Sequence, residues 1–299
     1  MKEPAIDRRA REALYNRLRA LAGQSGSSRD LVRAITSRLL DGVPTAPTDL
    51  LALASKLGVQ EVSADPDLPL HGELRRSGKA FRILYSKHLS GSKRRFTIAH
   101  EIGHAIIEST GAGAPRRGDA VERACDMFAG EILVPSEMLR SRSAQIPDID
   151  SVLGLAKTFD VSPSVLARRC ADVFRTAAFE FREGRVSWRT ERLSTDSEDL
   201  RTLVKEALSS GRVVGTVFLW DAYGGRQWRV EGLRMKGSAA ALFLLSPAPA
   251  RPPQPWGTTG ETLGEPVSAS PATEGANTDG EQPSPGGDAI PQWDEADSS

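Results

Sequence analysis

Cysteine is nearly absent. Cys125 and Cys170 are the two in 299 residues, too few for a disulfide framework, so a reducing, cytoplasmic setting is expected. Long hydrophobic runs are missing too: no apolar stretch approaches the roughly 20 residues that span a bilayer. The arginine-rich start, Met1 to Ala22, has no apolar signal core followed by a small-residue cleavage site. These absences argue against a disulfide-stapled secreted scaffold and against an integral membrane protein. Net charge is also lacking, but only in the sum. Residues 251–299 hold nine acids and one base, Arg251, a net −8, so the remaining 250 residues carry +8. A basic body with an acidic tail suits nucleic acid, a basic partner or self-screening, and charge alone does not choose among them.

What is present divides the chain. Residues 7–40 carry leucines and isoleucines at helical spacing (Leu14, Leu18, Leu21, then Leu31, Ile35, Leu39), broken at Gly23–Ser28. After Pro44 and Pro47, Thr48 or Asp49 caps a helix from Leu50 to Leu57 that Gly58 ends. Short strands are expected at 59–62, 72–75 and 80–85, with Ser77-Gly78 as a turn. Helical patterning returns at 93–109 and 120–134, where Pro135 stops it. Residues 150–174 read as two helices about a turn at Asp160, where left-handed geometry is tolerated. A hairpin about Glu183-Gly184, a capping box at Thr195–Glu198 and strands at 212–220, 227–233 and 239–245 follow. From residue 247 Pro, Gly, Ser and acids dominate, too little apolar surface to offset the entropy of ordering, so a disordered tail is expected.

Histidine is scarce as well, with four in the chain, yet two of them fall in Phe96-Thr97-Ile98-Ala99-His100-Glu101-Ile102-Gly103-His104. By composition that His-Glu-x-x-His pattern arises by chance on the order of once in a few hundred such chains. On a helix, His100 and His104 project from one face, one turn apart, where two neutral imidazoles can share a tetrahedral zinc ion. Glu101 lies beside them, placed to take a proton from water that zinc has acidified. Glu108 continues the same face but sits about 12 Å along the helix from His100, too far to join them. The third ligand must come from elsewhere, and Glu122 and Asp126 supply it: at i and i+4, one carboxylate can bind zinc while the other accepts the spare N–H of a ligating histidine. Glu122 is favoured as the ligand, although Asp119-x-x-Glu122 also reads as a capping box. Cys125, most of a helical turn from Glu122 in direction, reads as a buried small hydrophobe.

The run Arg94-Arg95-Phe96-Thr97-Ile98-Ala99-His100-Glu101-Ile102-Gly103-His104, with Glu122-Arg-Ala-Cys-Asp126-x-Phe128-Ala129-x-x-Ile132-Leu133-x-Pro135, resembles the ImmA/IrrE family of metallopeptidases over about residues 40–175. The resemblance implies an α+β, zincin-like core of the gluzincin type, Zn2+ held by His100, His104 and Glu122, Glu101 as the base, and Asp126 behind a ligating histidine. It further implies an endopeptidase whose substrate is a helix-turn-helix repressor, cleaved to release stress-response or mobile-element genes. The expected organisation is an N-terminal helical segment (1–40), the catalytic domain (41–145), a helix-turn-helix-like extension (146–176), a small α+β module (177–246) and the acidic tail (247–299). Substrate is expected to lie along an edge strand, with 80–85 the candidate. The alternative function is a DNA-binding regulator with a structural or vestigial metal site, for which Arg168, Arg169 and Arg175 offer phosphate contacts. His71, His88 and Tyr85 stand outside the constellation and read as surface or strand residues, and Lys93-Arg94-Arg95 as a solvated helix start.

Overall fold

The computed structural model describes residues 5–40, 45–78, 80–109, 118–143, 147–174, 176–190, 197–221, 224–236 and 239–248. Pro44, Arg175, part of the capping box at 195–198 and the acidic tail from 249 onward lie outside them. The fold class is α+β, as the pattern of elements implied.

Helices α1 (Ala5–Ala22) and α2 (Ser28–Leu39) form a hairpin. Ser27 caps α2 through a reciprocal pair with Asp30, the side chains bonding each other's backbone N–H groups. Asp49 caps α3 (Leu50–Lys56) by accepting from Leu51 and Ala52. Three strands follow, β1 (Val59–Asp65), β2 (Gly72–Ser77) and β3 (Ala80–Ser86). Their order is β1-β3-β2, with β3 parallel to β1 and antiparallel to β2. The 80–85 run is therefore central, which corrects its expected place at an edge: both of its sides are already paired and cannot accept another chain. The edge strand lying against the next helix is β2.

That helix, α4 (Gly91–Glu108), packs closely on α5 (Asp119–Leu133). Gly103 is why: a Cβ there would come within 3.0 Å of the Cys125 Cα and 3.2 Å of the Phe128 Cβ. Beyond Pro135 the chain does not stop being helical, as α6 (Ser136–Arg142) starts at once. Next come α7 (Ile149–Phe159) and α8 (Pro163–Phe174), joined at Asp160 with φ 53°. Arg95, read from sequence as part of a solvated helix start, instead donates to the Thr48 carbonyl at 3.0 Å and pairs with Asp160 at 3.3 Å. It fastens α4 to that corner.

The second sheet is antiparallel, in the order β5-β4-β8-β7-β6. It comprises β4 (Ala177–Arg182), β5 (Arg185–Arg189), β6 (Arg212–Asp221), β7 (Gly224–Arg234) and β8 (Ala240–Pro247), with α9 (Glu198–Ser210) between β5 and β6. Strand β8 continues through Pro247, past the expected start of the tail. Helix α9 is capped at Ser197 without a side-chain bond. Period-two alternation sends β4 and β8 side chains to two cores. Ala177, Phe179, Phe243 and Leu245 meet Leu200, Val204 and Ala207 of α9. Ala178, Leu242 and Leu244 join the large core that runs from Leu14 through Ile102 and Phe128 to Leu166.

One polar network lies inside that large core. Arg169 of α8, 8% exposed, donates to Glu131 of α5, to the Val134 carbonyl at 3.2 Å and to Ser136 Oγ at 2.9 Å. Glu131 also accepts from the Ser136 N–H and hydroxyl, each at 2.8 Å. Every member thus has partners, as a buried ion pair requires. This corrects the reading of Arg169 as a phosphate contact, since its guanidinium is committed to the interior.

Candidate metal centre

Helix α4 buries Ile98, Ile102 and Ile106 on one side and brings His100, Glu101 and His104 to the other edge, where α5 meets it. The two imidazole centroids are 5.1 Å apart. His104 is buried, and the His100 side chain is 17% exposed. Across from them, Glu122 reaches both rings: one carboxylate oxygen is 3.1 Å from His100 Nε2 and the other 3.5 Å from His104 Nε2. Asp126, one turn on, is 2.9 Å from His100 Nδ1. Glu122 is free for this because the helix is capped at Gly118 rather than by Asp119, so the competing capping box does not form.

Protonation logic tests whether these groups suit a cation. An ionised carboxylate only accepts hydrogen bonds, so His100 Nδ1 carries the hydrogen that Asp126 receives. In a neutral ring that leaves a lone pair on Nε2, facing a Glu122 oxygen that also offers only lone pairs. Two acceptors 3.1 Å apart are held together either by a second proton on His100 or by a cation between them. Burial, the largest single influence on His100, opposes its charge, yet the hydrogen bond that the ring donates to Asp126 and the charges of Asp126, Glu101 and Glu122 outweigh it and raise its pKa. Two imidazoles and a carboxylate converging with one histidine nitrogen backed by an acid is donor chemistry that suits a metal ion.

Cys125 is buried in the core, as expected, and also lies beside the histidine pair. Its sulfur and the histidine donors all lie within 4.8 Å of one another. Its separation from Glu122 is about 300° round the helix, which is only about 60° short of a full turn, so it flanks the site rather than facing away. Cys125 is nonetheless fully buried beneath Gly103, whereas Glu122 makes the short approaches to both rings. Cys170 is remote in chemistry: burial pushes its thiol up to about 12.

Glu101 is 5% exposed and covered by the first residue of β2. A Cβ at Gly72 would lie 2.4 Å from Thr97 Cγ2 and 3.0 Å from Glu101 Oε1. Gly72 thus seats the edge strand directly over the carboxylate, a role that no periodicity or motif in the sequence signals. Gly72→Ala is expected to cost about 1–3 kcal/mol by overpacking. Thr97→Ser in the same chain, which removes the clashing methyl, should recover most of the stability. Thermal melts of the single and double variants check this, and a Gly72→Ala protein as stable as the parent would contradict it. His71 and His88 are exposed, and Tyr85 pairs across from Gly72 in β3.

Comparison with known proteins agrees with this layout. Residues 53–171 match a peptidase family model described as IrrE N-terminal-like domain. That segment is an IrrE N-terminal-like domain. It contains the α4–α5 pair with His100, His104, Glu122 and Asp126, and the mixed sheet that covers Glu101, a zincin-like α+β arrangement. A Mycobacterium tuberculosis transcriptional regulator of known structure resembles the chain in fold, with TM-score 0.50 and 17% identity over 80% of this chain and 81% of that one. No curated protein matches the sequence. The IrrE-like domain begins inside α3 and ends inside α8, so α1, α2 and the five-stranded sheet lie beyond it. Among the described residues no helix is long and apolar enough to cross a membrane.

Proposed function

We propose that the chain is a zinc-dependent endopeptidase of ImmA/IrrE type that acts in the cytoplasm on a helix-turn-helix repressor, releasing stress-response or mobile-element genes. The observation that carries the reading is the Glu122 carboxylate spanning His100 and His104 at 3.1 and 3.5 Å, with Glu101 buried beside them on the same helix. His100, His104 and Glu122 would hold the zinc ion, and Asp126 would keep the hydrogen of His100 on Nδ1 so that Nε2 is free to ligate. Zinc, when bound, acidifies water and polarises the scissile carbonyl. Glu101 takes the proton from the attacking water and returns it to the departing amine, and its burial beneath Gly72 keeps bulk solvent from competing. Substrate would add as an extended segment to β2, the edge strand over Glu101.

Zinc-loaded protein incubated with helix-turn-helix repressors from the same genome is expected to cut one of them at a single bond, visible by mass, and to stop when a chelator is added. Repressors left whole under all conditions would sink the assignment of substrate. For the metal, Glu122→Ala should weaken zinc affinity by more than the 10–100-fold typical of losing an outer partner, the range expected for Asp126→Ala. Asp119→Ala should retain zinc as the parent does. Competition with a chromogenic chelator measures all three, and equal retention by Glu122→Ala and Asp119→Ala would remove Glu122 from the ligand set.

The proximity of Cys125 favours a second reading, a regulator whose metal site is closed by a fourth protein donor and is structural. Cobalt substitution separates the two, because a thiolate ligand adds an intense near-ultraviolet charge-transfer band that nitrogen and oxygen donors do not.

A further inference from the structure

Beside the histidine pair, Phe96, Asp126, Met127, Val165, Arg168 and Asp172 help to line an open pocket of about 520 Å³. Two of these walls touch the metal centre: Asp126 bonds His100, and the Phe96 ring lies 6.5 Å from the His100 ring. Residues of an extended peptide are about 3.3 Å apart, so a peptide cut at His100–Glu101–His104 has a side chain within reach of the pocket.

The pocket has one cation to offer. Arg169 also lines it but is spent on Glu131, Val134 and Asp172. Arg168 is different. Its guanidinium lies over the Trp188 ring, 4.3 Å from the centroid, and the indole is itself fixed by donating to Glu180 at 3.0 Å. The three carboxylates whose charge reaches Arg168 are Asp126, Glu180 and Asp172, and each is engaged elsewhere. Asp126 holds His100. Glu180 accepts from Ser164, Arg182 and Trp188. Asp172 pairs with Arg29 at 3.0 Å and Arg169 at 3.3 Å. Among the described residues Arg168 forms no ion pair. It is a permanent cation with a planar fork of donors, aligned on a rigid ring, above apolar walls supplied by Phe96, Met127 and Val165.

We infer that Arg168, stacked on Trp188, selects an acidic side chain, glutamate above aspartate, in the peptide held at the His100–His104 centre. The apolar walls take the methylenes of glutamate and the guanidinium takes its carboxylate. This rests on the peptidase reading and names the substrate class for it. It also gives the five-stranded sheet a part in recognition, since Trp188 belongs to β5.

The test reads binding apart from hydrolysis. Zinc-loaded Glu101→Gln protein is titrated into fluorescein-labelled nine-residue peptide pools whose central residue is fixed as Glu, Asp, Gln or Lys, and anisotropy is followed. The Glu pool is expected to bind about tenfold or more tighter than the Gln pool, in the range of a charge-assisted pair. Arg168→Gln should bring the two within about twofold, Arg168→Glu should favour the Lys pool, and Arg168→Lys should keep part of the Glu preference. Thermal melts confirm that the variants fold. Equal binding of the Glu and Gln pools, no binding of any pool, or a preference that survives Arg168→Gln overturns the inference. If this pattern holds while wild type cuts nothing, the peptidase reading fails alone. If wild type cuts peptides with no preference for glutamate, the role of Arg168 fails alone.

Discussion

Replacing Glu101 with Gln is expected to leave zinc content and melting temperature unchanged and to lower peptide hydrolysis by about 10²-fold or more. Glu101 projects about 100° round α4 from His100, whereas Glu122 meets both imidazoles and Asp126 meets that of His100. Glutamine keeps the length and shape that fit under Gly72, where there is no room for a larger side chain. What it loses is the ability to take a proton. Elemental analysis, a melt and initial rates of peptide cleavage measure the three quantities on one preparation. Undiminished cleavage by the variant would defeat the assigned mechanism, and loss of zinc would show that Glu101 supports the ligands instead.

Arg169→Met is expected to destabilise the fold by about 3–5 kcal/mol, the usual result of removing one partner from a buried ion pair. Methionine preserves most of the stem that packs on Gly130, whose Cβ position lies 3.0 Å from Arg169 Cδ. The loss therefore isolates the charge. Glu131, 6% exposed, would keep its bonds to Ser136 but face the core without a cation. Glu131→Gln in the same chain should restore part of the stability by removing the stranded charge. Urea midpoints of the parent, the single and the double variant provide the check. A single variant as stable as the parent would mean that the pair is neutral in net effect.

Local chemistry made much of this architecture readable. Asp160 adopts φ 53° and Glu183 and Gly184 adopt 52° and 83°, as the turn residues implied, and Asp49 caps its helix with its own side chain. The histidine pair, Glu122 and Asp126 were found by helical spacing, and they do converge. Strand order was not legible, because nothing in the runs at 59–62, 72–75 and 80–85 says which one lies in the middle. Helix α6 was missed because a proline that ends one helix can also stand immediately before the next. Arg169 and Glu131, 38 positions apart, look like two surface charges until the fold closes them onto each other. Arg168 and Trp188 belong to different elements, and their stacking has no periodicity to announce it.

The α1–α2 hairpin bears on how the protein can be handled. Leu18 and Leu31 are 1% and 0% exposed, and Arg17 of α1 donates twice, at 3.0 and 2.8 Å, to the Ile107 carbonyl near the end of the histidine helix. An expression fragment trimmed to the family boundaries at 53 and 171 would lay bare the side of α5 on which α1 and α2 pack and cut α8 two residues after Arg169. Such a fragment should collect in inclusion bodies. Soluble material for crystallisation should come from a clone that starts before α1 and runs through β8.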